Sequence, residues 1–263
     1  MSQTVPTGRQ AVLLKSYLKA LRLPVFVREH EQAARQCSEA GRAYEDYLEL
    51  LAGREVSSRE SKAADKRLKQ AGFPYAKELS DFEFSAVPSL NRSRILELSK
   101  GAFLQKRENV ILLGPPGVGK THLAVALGRE ACRKGFKARF FTAAGLVTTY
   151  LEAREESRVL KLEAAMSRLH LVIVDELGYI PFSQQGSEHL FAFFSRCYEK
   201  VSVLVTTNLP FSEWPQLFGG DERLAGALLD RLTHKVHIVD IQGDSYRFRE
   251  SLKAKEGGDP QAQ

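Results

Sequence analysis

The chain of 263 residues has little cysteine, no long apolar run and no internal repeat. Its cysteines, Cys37, Cys132 and Cys197, are odd in number and far apart. That spacing offers neither a disulfide framework nor a cysteine metal site, and it suits a reducing, cytoplasmic setting. No apolar stretch approaches the roughly 20 residues that span a bilayer, so no membrane segment is expected. The opening residues, MSQTVPTGRQAVLLKSYLK, hold only a short apolar patch interrupted by Lys15, which is not the pattern of a secretory signal.

What is present is an ordinary globular balance. With 43% hydrophobic and 27% charged residues the chain can build one large domain and a small one. Lys and Arg exceed Asp and Glu by 38 to 32, a net charge of +6, which favours an anionic partner, nucleic acid first.

The most informative stretch is NVILLGPPGVGKT, residues 109 to 121. A short apolar run ends in Gly114-Pro115-Pro116-Gly117-Val118-Gly119-Lys120-Thr121, which fits the phosphate-loop pattern G-x-x-x-x-G-K-[ST]. Glycines let the backbone curl so that successive N–H groups face a polyphosphate, and the following helix adds its positive dipole end. In such a loop the lysine, here Lys120, reaches the β- and γ-phosphates of ATP, and the hydroxyl of Thr121 coordinates Mg²⁺.

Before this loop the pattern is helical. Residues 8–23 place Val12, Leu13, Leu14, Tyr17, Leu18 and Leu21 at helical spacing, and Pro24 is read as the break. A second helix is expected over 27–52, with Tyr44, Tyr47, Leu48 and Leu51 buried and Gly53 near its end. A third is expected over 58–71, with Ser57 and Glu60 as a capping box and Gly72 and Pro74 closing it. On this third helix Arg59, Lys62, Lys66 and Lys69 share one face, either a phosphate-contacting face for DNA or an ordinary solvated surface. The domain reading is therefore 1–75 helical, contacting DNA or a partner, then 76–108 as a linker with a leading helix over 89–104, then an ATPase core over 109–250. Residues 251–263, rich in Gly, Pro and charge, read as a disordered tail.

From residue 109 strands and helices alternate, with strands expected at 109–113, 138–142, 169–174, 201–206 and 236–241 and helices at 120–134 and 187–200. This predicts an α/β fold with a parallel sheet flanked by helices. The run HLVIVDE ends an apolar strand in Asp175 and Glu176. An Asp there holds the Mg²⁺ that bridges phosphates, and the next carboxylate can deprotonate an attacking water. The other reading of this pair is a helix cap or turn. VLVTTN ends another strand, where Thr206, Thr207 and Asn208 could reach the γ-phosphate or the water, Asn208 acting as a sensor, unless it only forms a turn. The helix DERLAGALLDRLT carries Arg223 and Arg231. Either is a candidate arginine finger for a neighbouring subunit's ATP, or a surface ion-pair partner of Asp221, Glu222 or Asp230.

GPPGVGKTHLAVALG, LHLVIVDELGYIPF, VLVTTNLPFSEW and LAGALLDRLTHKVHIVDIQGDSYRFRES together resemble the IstB family, ATP-dependent helpers of bacterial insertion-sequence transposition. The resemblance runs from about residue 8 to about 251. It implies an AAA+ P-loop NTPase fold similar to the helicase loader DnaC and the initiator DnaA. It also implies binding of ATP with Mg²⁺, binding of duplex DNA with little sequence preference, a homo-oligomer that remodels DNA, and a partner transposase. Carried over by motif, Gly114 to Thr121 with the adjoining His122 bind nucleotide, Asp175 and Glu176 are the Walker B pair, and Asn208 is sensor 1. Arg231 best matches the arginine finger, with Arg223 in reserve, and Asp81 and Phe82 border the adenine pocket. The match departs from the AAA+ pattern in one respect: many such proteins carry a helical lid with a sensor-2 arginine after the last strand, whereas few residues follow SYRFRES here, so no full lid is expected and a neighbour would complete the site. Two alternatives stand beside this reading: a replicative helicase loader of the same fold, and a nucleotide-switched DNA-binding scaffold with negligible hydrolysis.

Overall fold

The computed structural model describes residues 8–179 and 181–246. The expected tail over 251–263 lies outside the described residues. Contacts divide the chain into two compact units, Met1–Asp65 and Lys66–Gln263, a division about ten residues earlier than the composition suggests.

The first unit is helical. Helix α1 (Gly8–Ala20) ends before Arg22, whose φ of 55° lies in the left-handed region. Pro24 does not break a helix but opens the next one, α2 (Pro24–Glu39), at the position where a missing N–H costs nothing. The helix expected over 27–52 is interrupted. Gly41, with φ of 61°, closes α2, and α3 starts afresh at Tyr44. Helix α3 (Tyr44–Ala71) then runs through both supposed punctuation marks: Gly53 lies inside it, and Ser57 with Glu60 caps nothing. Of the residues expected to be buried, Leu51 is, whereas Tyr44 and Leu48 are exposed.

One contact explains much of this continuity. Glu55, buried on α3, accepts the Val25 N–H at 2.8 Å, one of the orphan donors at the start of α2, and also pairs with Arg59 at 2.8 Å. A carboxylate at that helix end is favoured by the helix dipole. Arg59 further donates to the Arg22 carbonyl, so it is committed inside this unit and does not stand free in the basic stripe. Lys62, Lys66 and Lys69 are exposed. Along α1, Val12, Leu13, Leu14 and Tyr17 are also exposed, as is Leu21 just after it, an apolar face of the kind that marks interaction surfaces.

The second unit begins with the C-terminal turns of α3. Short 3₁₀ turns at Leu79–Asp81 and Phe84–Ala86 follow. The helix expected over 89–104 is two helices, α4 (Arg92–Ser99) and α5 (Ala102–Lys106), parted at Gly101 with φ of 83°. Then come β1 (Asn109–Leu113), α6 (Lys120–Arg133), β2 (Ala138–Thr142), α7 (Ala143–Glu155) and α8 (Val159–Met166). They are followed by β3 (Leu171–Leu177), α9 (Gln184–Cys197), β4 (Ser202–Thr207), α10 (Trp214–Leu217), α11 (Glu222–Thr233) and β5 (Val236–Asp240).

The five strands form one parallel sheet in the order β2-β3-β4-β1-β5. Alternation along each strand feeds two cores. Val110, Leu112, Ile173 and Leu204 pack with Leu123 and Leu127 of α6. Ile111, Val172, Val174, Val203 and Val205 pack on the other face with Leu146, Phe193 and Leu228. Both faces are covered, which is why the strands read as continuous apolar runs. The order places β4 between β1 and β3, so the carboxyl ends of all three converge on one crevice.

Candidate nucleotide site

The loop from Gly114 to Gly119 joins β1 to α6, and Gly119 with φ of 96° is the N-cap of that helix. Two of its glycines are demanded by what surrounds them. A Cβ on Gly117 (φ 83°) would stand 2.2 Å from Ser245 Oγ, and one on Gly119 would stand 2.7 Å from the Phe82 ring. The loop is thus backed by segments far away in sequence. The Tyr246 N–H donates to the Gly117 carbonyl at 3.1 Å, bringing Ser245 and Tyr246 onto the loop. Lys120 Nζ donates to the carbonyls of Gly114 and Pro115, each at 2.7 Å, which holds the ammonium over the loop. Burial lowers its pKa, while Asp175 and Glu176 pull the other way.

The Thr121 hydroxyl donates to Asp175 Oδ1 at 3.0 Å, so the start of α6 meets the end of β3. Thr206 on β4 donates to the same oxygen at 2.5 Å, and accepts the Glu176 N–H at 2.9 Å. Burial raises the pKa of Asp175, against the lowering effect of the two hydroxyls. Between Val174 and Leu177 the β3–β4 register slips, a bulge of the sort that re-aims a side chain. Within it Glu176 has φ of 60° and an exposed side chain. A non-glycine residue there costs about 1 kcal/mol or more, a cost that the Thr206 contact offsets.

The sequence expectation for the end of β4 needs correcting. Thr206 and Thr207 are both buried, at 1% exposure, and their hydroxyls are spent inside the protein. Thr206 bridges Asp175 and Glu176, and Thr207 accepts the Leu209 N–H at 3.2 Å in the turn after the strand. Asn208, the next residue, is half-buried.

The linker side is built from Glu78 to Phe82. Glu78 is clamped by Arg129 and Arg133 of α6, each at 2.6 Å, and its carbonyl meets His122 Nε2 at 2.9 Å. His122 therefore fastens the linker to α6 and also stacks edge-on with Phe82, ring centroids 5.2 Å apart. Phe82 is buried against the loop. The exposed Asp81 carboxylate instead accepts the Glu78 N–H at 3.0 Å and closes the local turn. The Arg133 guanidinium, with Arg129 beside it, holds the Glu78 carboxyl at about 2, below its ordinary 4.5. Because the folded value is the lower one, the clamp's stabilisation is complete above about 4.5 and is lost as pH falls toward 2. In an acid titration of the melting temperature, wild type should exceed Glu78→Gln above that window and converge with it below. A constant difference would contradict the clamp.

On α11, Asp221 caps the helix through the Arg223 and Leu224 N–H groups, at 3.0 and 2.9 Å, and the Arg223 side chain is exposed. Arg231 folds back: Nη1 donates to the Ala227 carbonyl at 2.6 Å, and the guanidinium lies 5.0 Å from the Phe191 ring centre. Neither makes an ion pair with Asp221, Glu222 or Asp230 among the described residues.

Comparison with known proteins agrees with this architecture. The family described as IstB-like ATP binding protein matches residues 16–254. The chain belongs to the IstB-like family. An insertion sequence IS21 putative ATP-binding protein of Pseudomonas aeruginosa is 38% identical over 92% of this chain and 90% of its own length. An insertion sequence IS5376 putative ATP-binding protein of Geobacillus stearothermophilus is 35% identical over 92% of this chain and 96% of its own. Among solved structures, AMPPCP-bound DnaA from Aquifex aeolicus superposes with a TM-score of 0.55 at 18% identity, covering 73% of this chain and 58% of that one. DnaI superposes with 0.53 at 16% identity, covering 67% and 93%. At such identities the likeness concerns the fold, the AAA+ P-loop NTPase core. The family is thus one described as ATP-binding, and both relatives are named as insertion-sequence proteins.

Proposed function

We propose that the protein is an ATPase that assists transposition: it assembles on duplex DNA, serves a partner transposase, and uses hydrolysis to disassemble. The observation that carries the hydrolytic part is the Thr206 bridge, which ties Asp175 and Glu176 to one hydroxyl beside the loop of Lys120 and Thr121. The donor set also fits Mg²⁺. Thr121 Oγ1 and Asp175 Oδ1 are hard oxygen ligands side by side, and Mg²⁺ is usually held by one or two side chains plus substrate phosphates. When bound, the ion would neutralise charge that develops on the phosphates.

The chain's own residues then divide the work. Backbone N–H groups of the loop and the Lys120 ammonium hold the β- and γ-phosphates. Glu176, aimed outward by the bulge, takes a proton from the water that attacks the γ-phosphorus as the bond to the β-phosphate oxygen breaks. Asn208 orients that water. Arg231 of a neighbouring protomer, released from its Phe191 stack, touches the γ-phosphate, with the exposed Arg223 as the other candidate. The exposed apolar face of α1 supports self-association.

The basic charge and the exposed Lys62, Lys66 and Lys69 support DNA binding through phosphates. Duplex affinity should fall steeply and linearly on a log–log plot against salt, alike for unrelated sequences. A flat salt response would remove the DNA role. Purification from a host carrying the insertion sequence separates transposase as the client from a hexameric helicase.

A further inference from the structure

Away from the nucleotide site the second unit has a groove with an unusual charge balance. It lies toward the amino end of β2, and the phosphate loop lies at the carboxyl end of the same parallel sheet. Its volume is about 490 Å³. Among the described residues four cations line it, Arg67, Lys137, Arg139 and Arg168, and no carboxylate does. None of the four forms an ion pair among the described residues, whereas Arg28, Arg54, Arg129, Arg133 and Arg196 all do.

Two of the guanidiniums are fixed in place by neutral main-chain acceptors. Arg67 Nε donates to the Cys132 carbonyl at 2.7 Å, and Arg139 Nη1 to that of Gln70 at 2.9 Å. Each keeps further N–H donors, already oriented and uncompensated by an acid. Lys137 and Arg168 are exposed on long, adjustable stems. Gathering like charges this way is unfavourable unless an anion joins them.

The floor is apolar: Phe141, Leu162, Ala165, Met166 and Leu169. Among the described residues β2 is the edge strand, with no further strand along its outer side. The Phe141 ring already lies beneath the Arg139 guanidinium, 5.6 Å from the ring centre, so the groove presents no open aromatic platform for a nucleic-acid base. A phosphate backbone has no use for a recessed apolar floor. We infer that this groove receives an extended acidic segment of a protein partner, its carboxylates on Arg67, Arg139 and Arg168 and one large apolar side chain on the floor between them. Arginine recognises carboxylates with two parallel hydrogen bonds, and addition beside an edge strand is a common way to bind an extended peptide. The inference stands apart from the ATPase reading, since no residue of the groove takes part in the nucleotide site.

The test is fluorescence anisotropy on the full chain with three probes. The first is a labelled peptide of about a dozen residues, rich in Asp and Glu around a central Leu-Phe pair. The second is the same peptide with Ser-Ser at its centre, and the third is an oligothymidylate of equal charge. Wild type should bind the first best. Charge reversal at Lys137→Glu with Arg168→Glu should weaken that peptide about tenfold or more, leaving nucleotide affinity and oligothymidylate affinity within about twofold. If the reversal fails to fold, Lys137→Ala with Arg168→Ala reads the same loss. Equal binding of both peptides, no peptide binding, or an unchanged affinity in the variants would overturn the inference. A loss confined to the oligothymidylate, or shared by it, would make the groove a nucleic-acid contact instead.

Discussion

Lys120→Ala should weaken ATP binding roughly 30- to 5,000-fold, because truncating one partner of a desolvated, hydrogen-bonded charge pair costs about 2–5 kcal/mol. The ammonium is half-buried, so burial already disfavours its charge, and a triphosphate restores what water no longer supplies. Its present acceptors are two loop carbonyls, groups that water can satisfy when the lysine is removed, so the melting temperature without nucleotide should change little. Calorimetric titration with ATP checks this. An unchanged affinity would refute the role given to Lys120.

The second large effect is on turnover. Glu176→Gln keeps size and the backbone bond from Glu176 to Thr206, and the side chain is exposed, so folding and ATP binding should be preserved. What is lost is the proton acceptor, worth about 10²- to 10⁴-fold in rate. With ATP bound and not consumed, assemblies on DNA should persist for many wild-type lifetimes. Phosphate release measured alongside DNA retention separates the two steps. Hydrolysis at the wild-type rate would show that another group accepts the proton.

The parts legible in sequence are those whose meaning is local or linear. The phosphate loop has fixed spacing. The strands are short apolar runs, and Lys120–Arg133 and Glu222–Thr233 carry their periodicity and caps in plain order. The N-terminal helices are not legible in this way, because their local punctuation is ambiguous. Gly53 and the Ser57–Glu60 pair look like a stop and a start, yet a glycine inside a helix costs only about 1 kcal/mol. The contacts of Leu51, Glu55 and Arg59 along the same helix outweigh that. The true stop, Gly41, looks no different in sequence from Gly53.

At the site, the carboxylates could be read from HLVIVDE, but the partner that orients them could not. Thr206 acts through pairing with a strand thirty positions earlier, and that register exists only in the folded sheet. The requirement for Gly117 and Gly119 likewise comes from Ser245 and Phe82, far off in the chain. Asp81 and Phe82 are adjacent in sequence, yet one caps a turn and the other packs on the loop, a distinction set by which side of a 3₁₀ turn each occupies.

The proposed function links ATP, DNA and assembly through this one site. The most direct measurement is ATP turnover by the purified chain, with and without duplex DNA, while light scattering follows particle size. ATP should build larger particles on DNA, DNA should accelerate turnover, and the particles should shrink as ATP is consumed. ATP bound with neither size nor turnover responding to DNA would contradict it.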